Sequence, residues 1–207
     1  MLFLDAVRKY IRSYIARLAR SLDRLSKGRI SPDIITWIGV IAHLPIAFLI
    51  GYGELELAAI LMIFFGLFDV LDGELARLKK IASPRGMMLD ASTDRVKEVM
   101  IYSGIVYYIS QTEYSSWSFL AVVACGGILT VSYIKAKGEV AYAVKNKSDD
   151  HHKINRMFSE ALVPFEVRTF IIILALFFNQ LLFASALIAI LATISIFERI
   201  QFIGKKI

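Results

Sequence analysis

Residues 69–94 read DVLDGELARLKKIASPRGMMLDASTD, a stretch that carries Asp69, Asp72, Asp90 and Asp94 between two apolar runs. LAAILMIFFGLF (57–68) leads into it and VMIYSGIVYYI (99–109) follows it. On a helix Asp69 and Asp72 lie one turn apart on one face. On a second helix Asp90 and Asp94 repeat the arrangement at i, i+4, with Gly86 one turn earlier. Four carboxylates are thus expected to project from two adjacent helices into one space. Ionisable groups inside or beside a membrane span are costly, and their default reading is functional. Carboxylate oxygens suit hard divalent cations, and two Mg²⁺ ions, with Mn²⁺ as the alternative, would offset the mutual repulsion. The plain alternative is a pair of short helices whose acids are solvated at a membrane surface.

Small residues accompany the acids. Gly73 and Ala76 share the helical face of Asp69 and Asp72 and leave room for a flat ligand to approach the backbone. Arg77 adds a fixed charge suited to phosphate. Together these positions fill D-x-x-D-G-x-x-A-R, eight intervening residues, then G-x-x-x-D-x-x-x-D, with Asp69, Asp72, Gly73, Ala76, Arg77, Gly86, Asp90 and Asp94. In this the chain resembles the CDP-alcohol phosphotransferase family, position by position. The resemblance implies transfer of a substituted phosphate from a CDP-linked donor to an alcohol with release of CMP, and it implies a homodimer. It assigns Asp69, Asp72 and Asp90 to the metals, with Asp94 as general base at the edge of the same metal-binding set. It places the cytidine nucleotide against Gly73, Ala76 and Arg77.

Composition sets the class independently. Hydrophobic residues make up 57% of the 207 residues and the mean hydropathy is +0.61, above ordinary soluble usage. The length suits one membrane domain without a second sizeable globular unit. Cys125 is the single cysteine, so an intrachain disulfide is excluded; it reads as a small buried hydrophobe.

The N-terminal stretch is basic and amphipathic. Val7, Ile11, Tyr14, Leu18, Leu22 and Leu25 recur at helical spacing among Arg8, Lys9, Arg12, Arg17, Arg20 and Arg24. The pattern predicts a helix lying on an anionic leaflet rather than a secretory signal or a nucleic-acid arm. Gly28 and the Ser31-Pro32 pair end it, with Ser31 the expected cap of the next helix. Six spans are expected at about 33–51, 57–78, 87–110, 116–137, 165–180 and 182–203. The expected fold is therefore all-α and integral to the membrane. A juxtamembrane interfacial helix (residues 1–30) precedes a six-helix transmembrane catalytic domain (31–207). Asn179-Gln180 reads as a tight hairpin between the last two spans. His43 and Pro45 fall inside span one, where His43 reads as a packed helix residue and Pro45 as a kink.

Charge placement gives the orientation. All 24 Lys and Arg residues fall in four groups: before Asp33, from Arg77 to Lys97, from Lys135 to Arg168, and from Arg199 onward. The intervening turns GYGELEL, QTEYSS and NQ contain none. Both termini and the loop joining the acid-bearing helices are thus expected on the cytoplasmic side of the cell membrane. Tyr107, Tyr108, Tyr114 and Trp117 then form an outer aromatic belt. The net charge of +6 serves topology and anionic ligands and calls for no nucleic-acid partner.

A second constellation begins with SYIKAKGE (132–139). Isolated lysines at such a helix end would be ordinary anchors. However, Ser132, Tyr133 and Lys135 resemble the S-Y-x-[KR]-A-[KR]-x-E segment of the phosphatidylinositol-phosphate and archaetidylinositol-phosphate synthase branch, as does DASTDR (90–95). Arg199 in FERIQ resembles an arginine associated with acceptor phosphate in that branch. The resemblance implies a CDP-diacylglycerol or CDP-archaeol donor and a phosphorylated polyol acceptor, inositol phosphate, held by Lys135, Lys137 and Arg199. Membrane lipid is the remaining partner. Arg168 is read as a helix anchor, with contact to acceptor phosphate as the alternative, and Asp149, Asp150, His151 and His152 as loop within a connection at 138–164. Competing readings are a soluble CDP-alcohol donor such as CDP-inositol, glycerol phosphate as acceptor, and an acid-lined cation transporter.

Overall fold

A computed structural model of the chain describes residues 2–145 and 164–206, with side chains from Tyr14 onward. Every regular element among these residues is helical. They are α1 (Leu2–Leu25), α2 (Pro32–Gly51), α3 (Leu55–Leu78), α4 (Pro84–Ser110), a 3₁₀ turn (Ser115–Trp117), α5 (Phe119–Lys145), α6 (Phe165–Phe177) and α7 (Leu181–Gly204). Two compact units result, Met1–Ile101 and Tyr102–Ile207.

In the first unit α1 and α2 both pack on α3. Lys27 and Gly28 stop α1 with positive φ (53° and 76°). Ser31 then caps α2: its Oγ accepts from the Ile34 N–H at 3.3 Å, and Pro32 takes the first helical position, where a missing N–H costs nothing. Ser83-Pro84 repeats this device at α4, the Gly86 N–H donating to Ser83 Oγ at 3.2 Å. That cap starts α4 three residues before the expected edge of span three. Lys79 pins the end of α1 to the end of α3. Its Nζ donates to the carbonyls of Gly28 (2.9 Å) and Ile30 (2.6 Å) and pairs with Asp23 at 3.1 Å.

The stripe expected along α1 divides. Ile15 and Ala19 are the buried residues, whereas Tyr14, Leu18 and Leu25 of the predicted apolar face stay exposed. That face is thus left open for an external apolar phase such as a bilayer surface. Large apolar side chains are exposed elsewhere too: Trp37, Ile41 and Phe48 on α2, Ile60 and Phe64 on α3, Phe183, Ile190 and Phe197 on α7. Continuous exposed apolar surface of this kind is foreign to water-soluble monomers. Three helical segments, Pro32–Gly51, Ser115–Lys145 and Leu181–Gly204, are long and apolar enough to cross a membrane.

In the second unit α7 packs on both α5 and α6. Small residues bring α5 and α7 close: Ala121 and Ala124 on one, Ala184, Ser185, Ala189 and Ala192 on the other, all buried. A Cβ at Gly127 would stand 2.9 Å from the Ala192 Cβ. Helix α5 also runs further than expected, to Lys145 rather than to about 137, so the connection placed at 138–164 is partly helix. The segment GEVAYAVK has no proline, and Gly138 supplies the clearance for Ile203 of α7. Asp149, Asp150, His151 and His152 lie outside the described residues. Helix α6 ends at Phe177, and Asn179 (φ 53°) turns the chain into α7, the hairpin expected from Asn179-Gln180.

Gly127→Ala should lower stability by about 1–3 kcal/mol, because neither Cβ can move without its helix. Adding Ala192→Gly should restore most of the loss by exchanging which helix carries the methyl. Thermal unfolding in detergent of the single and double variants checks this, and an unchanged Tm in the single variant contradicts it.

Candidate functional site

The first unit gathers the acid motif. Asp69 and Asp72 come from α3, and Asp90 and Asp94 from α4. Asp72 lies within electrostatic range of Asp69 and Asp90, and Asp90 within range of Asp69 and Asp94. The four carboxylates that the i, i+3 and i, i+4 spacings aligned therefore form one cluster. Asp72 is the most enclosed, 6% exposed.

Two neighbours that motif spacing did not reveal, Thr36 and Lys97, hold this cluster, and a third, His43, lies near it. Thr36 on α2 donates its hydroxyl to Asp72 Oδ2, with the Pro32 carbonyl (3.2 Å) as a second acceptor within reach. Lys97 on α4 is 3% exposed; its ammonium pairs with Asp69 and lies 3.3 Å from Asp94 Oδ1. His43, buried on α2 with Nδ1 2.7 Å from the Gly39 carbonyl, is in electrostatic range of Asp69, Asp94 and Lys97. Gly39 on the same helix faces Asp69, since a Cβ there would stand in ordinary contact with Asp69 Oδ1 at 3.7 Å. Helix α2, read from sequence only as an apolar span, is therefore one wall of the site.

A charged cluster amid apolar helices needs compensation. Lys97, with Arg95 in electrostatic range of Asp90 and Asp94, sets two positive charges against four carboxylates. The donor set, all hard oxygen, fits Mg²⁺ or Mn²⁺. Among the described residues no three His, Cys, Asp or Glu side chains converge tightly enough to hold an ion. The fit therefore rests on donor chemistry and uncompensated charge.

Gly73 and Arg77 adjoin the cluster on α3. The Arg77 guanidinium pairs with Glu74 at 2.8 Å, and its Nη2 would lie 3.5 Å from a Cβ at Gly73. The Arg77 side chain remains 49% exposed, open to an anionic ligand.

The second unit groups different charges. Arg199 on α7 and Arg168 on α6 are both buried, and Arg199 is in electrostatic range of Arg168 and of Glu139 on α5. Lys135 lies 3.6 Å from Glu139. Lys135 and Arg199, singled out in sequence, are thus linked through Glu139. Arg168, read as an anchor, is drawn into the same group. Lys137 lies instead over the Tyr133 ring, 5.7 Å from its centroid.

A family model described as CDP-alcohol phosphatidyltransferase matches residues 29–197. The chain belongs to the CDP-alcohol phosphatidyltransferase family. Its Asp69–Asp94 motif lies within the matched region. A phosphatidylinositol phosphate synthase of Mycobacterium tuberculosis (strain ATCC 25618 / H37Rv) is 31% identical over 135 residues, 63% of this chain and 61% of that protein. The chain thus spans about 61% of the length of that relative. A crystal structure of the M. tuberculosis phosphatidylinositol phosphate synthase with CDP-DAG bound superposes with a TM-score of 0.76 at 23% identity, covering 91% of this chain and 92% of the other. A second, in complex with manganese and citrate, gives a TM-score of 0.78 at 22% identity, covering 92% and 88%. At this identity the superpositions show that the chain has the CDP-alcohol phosphatidyltransferase fold.

Thr36→Val keeps the side-chain shape and deletes the donor to Asp72. The buried carboxylate then loses a charge-assisted bond, a cost of about 1–3 kcal/mol. The expected outcome is a Tm fall in Thr36→Val that is largely absent when Asp72→Asn is also present, since the charge needing that bond has gone. Equal losses in both backgrounds would show that the bond contributes nothing.

Proposed function

We propose that the chain transfers a substituted phosphate from a CDP-linked lipid, CDP-diacylglycerol or CDP-archaeol, to a phosphorylated polyol, with inositol phosphate the favoured acceptor. The observation that carries this reading is the single cluster formed by Asp69, Asp72, Asp90 and Asp94, which are the acids of the family motif. The M. tuberculosis relative's name, its CDP-DAG complex and its manganese complex support the choice of donor, acceptor and metal.

Asp69, Asp72 and Asp90 would hold two Mg²⁺ or Mn²⁺ ions, with Asp94 at their edge. Bound there, divalent cations would neutralise charge developing on the pyrophosphate and its leaving group. The protein groups do the rest. Gly73 and Ala76 leave the acid face of α3 open to the cytidine nucleotide, and Arg77 offers its guanidinium to phosphate. Asp94 takes the proton of the acceptor hydroxyl as its oxygen bonds to the lipid-bearing phosphorus. The bridging P–O bond breaks, and its electron pair leaves with CMP. Thr36 fixes Asp72 in one orientation, which preserves the geometry of the acid face.

Lys135, Lys137, Arg168 and Arg199 would receive the acceptor's phosphate. A free polyol carries no charge and gives no reason to bury two arginines in one group. A phosphate monoester satisfies several such donors at once. The membrane arrangement proposed with this activity has six spans, α2 to α7, with both termini and the site on the cytoplasmic side of the cell membrane. The concentration of Lys and Arg on one side of the spans supports it. Helix α1 (within residues 1–30) would lie on the membrane surface, residues 31–207 would form the catalytic domain, and the family resemblance supports a homodimer.

CMP release from a CDP-linked lipid plus inositol phosphate is the direct test. Chelation, Asp72→Asn or Asp90→Asn should abolish it. Asp94→Asn should keep metal-dependent donor binding and lose turnover, because a base acts after binding. Chelator-insensitive CMP release would refute the metal assignment, and substrate transport without CMP would replace the enzyme with an ion path.

Lys135→Ala and Arg199→Ala should each raise KM for the phosphorylated acceptor roughly ten- to hundredfold, the cost of one charge-assisted bond, with donor KM nearly unchanged. Mere anchors would instead lower expression and leave the kinetics of surviving protein normal. Equal use of unphosphorylated inositol by the wild type would return these cations to an anchoring role.

A further inference from the structure

Lys97 stands apart from the family motif and from the acceptor cations. The signature ends at Asp94, and by charge placement alone Lys97 is one more cytoplasmic-side cation. Yet its side chain is 3% exposed, and its ammonium touches carboxylates from two helices, Asp69 of α3 and Asp94 of α4. The contact to Asp94 at i, i+3 spans one turn of α4, whereas that to Asp69 bridges α3 and α4. His43 of α2 and Asp90 of α4 are also in electrostatic range of Lys97, and Arg95 of α4 is in range of Asp90 and Asp94. A lysine's flexible four-carbon stem lets the ammonium move without moving its helix.

We propose that Lys97 is a resident counter-cation of the carboxylate cluster. Its ammonium holds Asp69 and Asp94 together in the absence of a divalent cation and is displaced from Asp69 when one binds. The inference rests on the reading of the cluster as a metal site. Asp69 cannot give the same lone pairs to an ammonium and to a metal ion. The two cations therefore compete, and the free chain avoids leaving that partly enclosed carboxylate, 19% exposed, without a counter-charge. Lys97 is thus a positioning residue: it keeps the metal-free helices together and makes loading reversible by opposing it.

Mn²⁺ binding to the purified full chain, read from the EPR signal of free Mn²⁺, and the Tm in chelator are the measurements. Lys97→Met removes the charge at similar volume. It should bind Mn²⁺ about tenfold or more tightly than the wild type, because no ammonium has to be expelled. Its Tm in chelator should fall by several degrees, and Mn²⁺ should raise it by more than it raises the wild-type Tm. Lys97→Arg, which keeps the charge, should bind Mn²⁺ no more tightly than the wild type. Equal or weaker Mn²⁺ affinity in Lys97→Met overturns the proposal, whatever happens to stability. Should Lys97→Met fail to fold, structures of the wild type with and without Mn²⁺ decide instead. A Lys97–Asp69 pair kept in both overturns the proposal; a pair present only without Mn²⁺ supports it. Failure of wild type and variant alike to bind Mn²⁺ refutes the metal reading itself, whereas equal binding by both refutes only the role of Lys97.

Discussion

Four carboxylates held within electrostatic range on two apolar helices set the terms for everything around them. Asp72 is buried, Asp69 and Asp94 are partly enclosed and Asp90 is exposed, and where water is excluded like charges repel more strongly than in bulk water. A buried carboxylate needs donors for its lone pairs or a cation beside it. The first unit meets that need with neighbours from α2 and α4: the Thr36 hydroxyl on Asp72, the Lys97 ammonium on Asp69 and Asp94, and His43 close by. The negative charge still exceeds the positive, and that excess is what supports the proposal that divalent cations bind here.

The rest of the architecture follows from holding those helices at close quarters. Helix α3 must be apolar enough to pack and yet end in DVLDGELARL, so its acids fall at the end where the chain turns toward α4. Ser-Pro caps start α2 and α4 at fixed residues, which fixes the faces on which Thr36 and Asp90 emerge. Gly39 of α2 faces Asp69, and Lys79 ties α1 to the end of α3. In the second unit the same economy of space appears as Gly127 against Ala192 and Gly138 against Ile203. Helices that meet in lipid gain little from hydrophobic contrast with their surroundings, so close approach of small residues takes over.

Much of this was legible in sequence, because spacing along one helix is a local property. Asp69 with Asp72, Asp90 with Asp94, Ser31-Pro32 and Asn179-Gln180 all declared themselves within a turn of chain. What the sequence hid was pairing across helices. Thr36 precedes Asp72 by 36 residues, and nothing in SPDIITWIGV says which hydroxyl faces which acid. Lys97 read as one charge in a topological count because its partner Asp69 lies 28 residues away. For Arg168 the sequence leaves anchoring and phosphate contact both open for the same reason, and the structure buries it in electrostatic range of Arg199. The extension of α5 to Lys145 is hidden by the polar residues that follow, although GEVAYAVK has no helix breaker except a glycine with a packing role.

The central claim is that the Asp69–Asp94 cluster is where divalent cations bind this chain. Anomalous diffraction from crystals of the full chain grown with Mn²⁺ tests it most directly. The account predicts anomalous density in contact with the carboxylates of Asp72 and Asp90. Density confined to other acids, or none at these residues at saturating Mn²⁺, would contradict it.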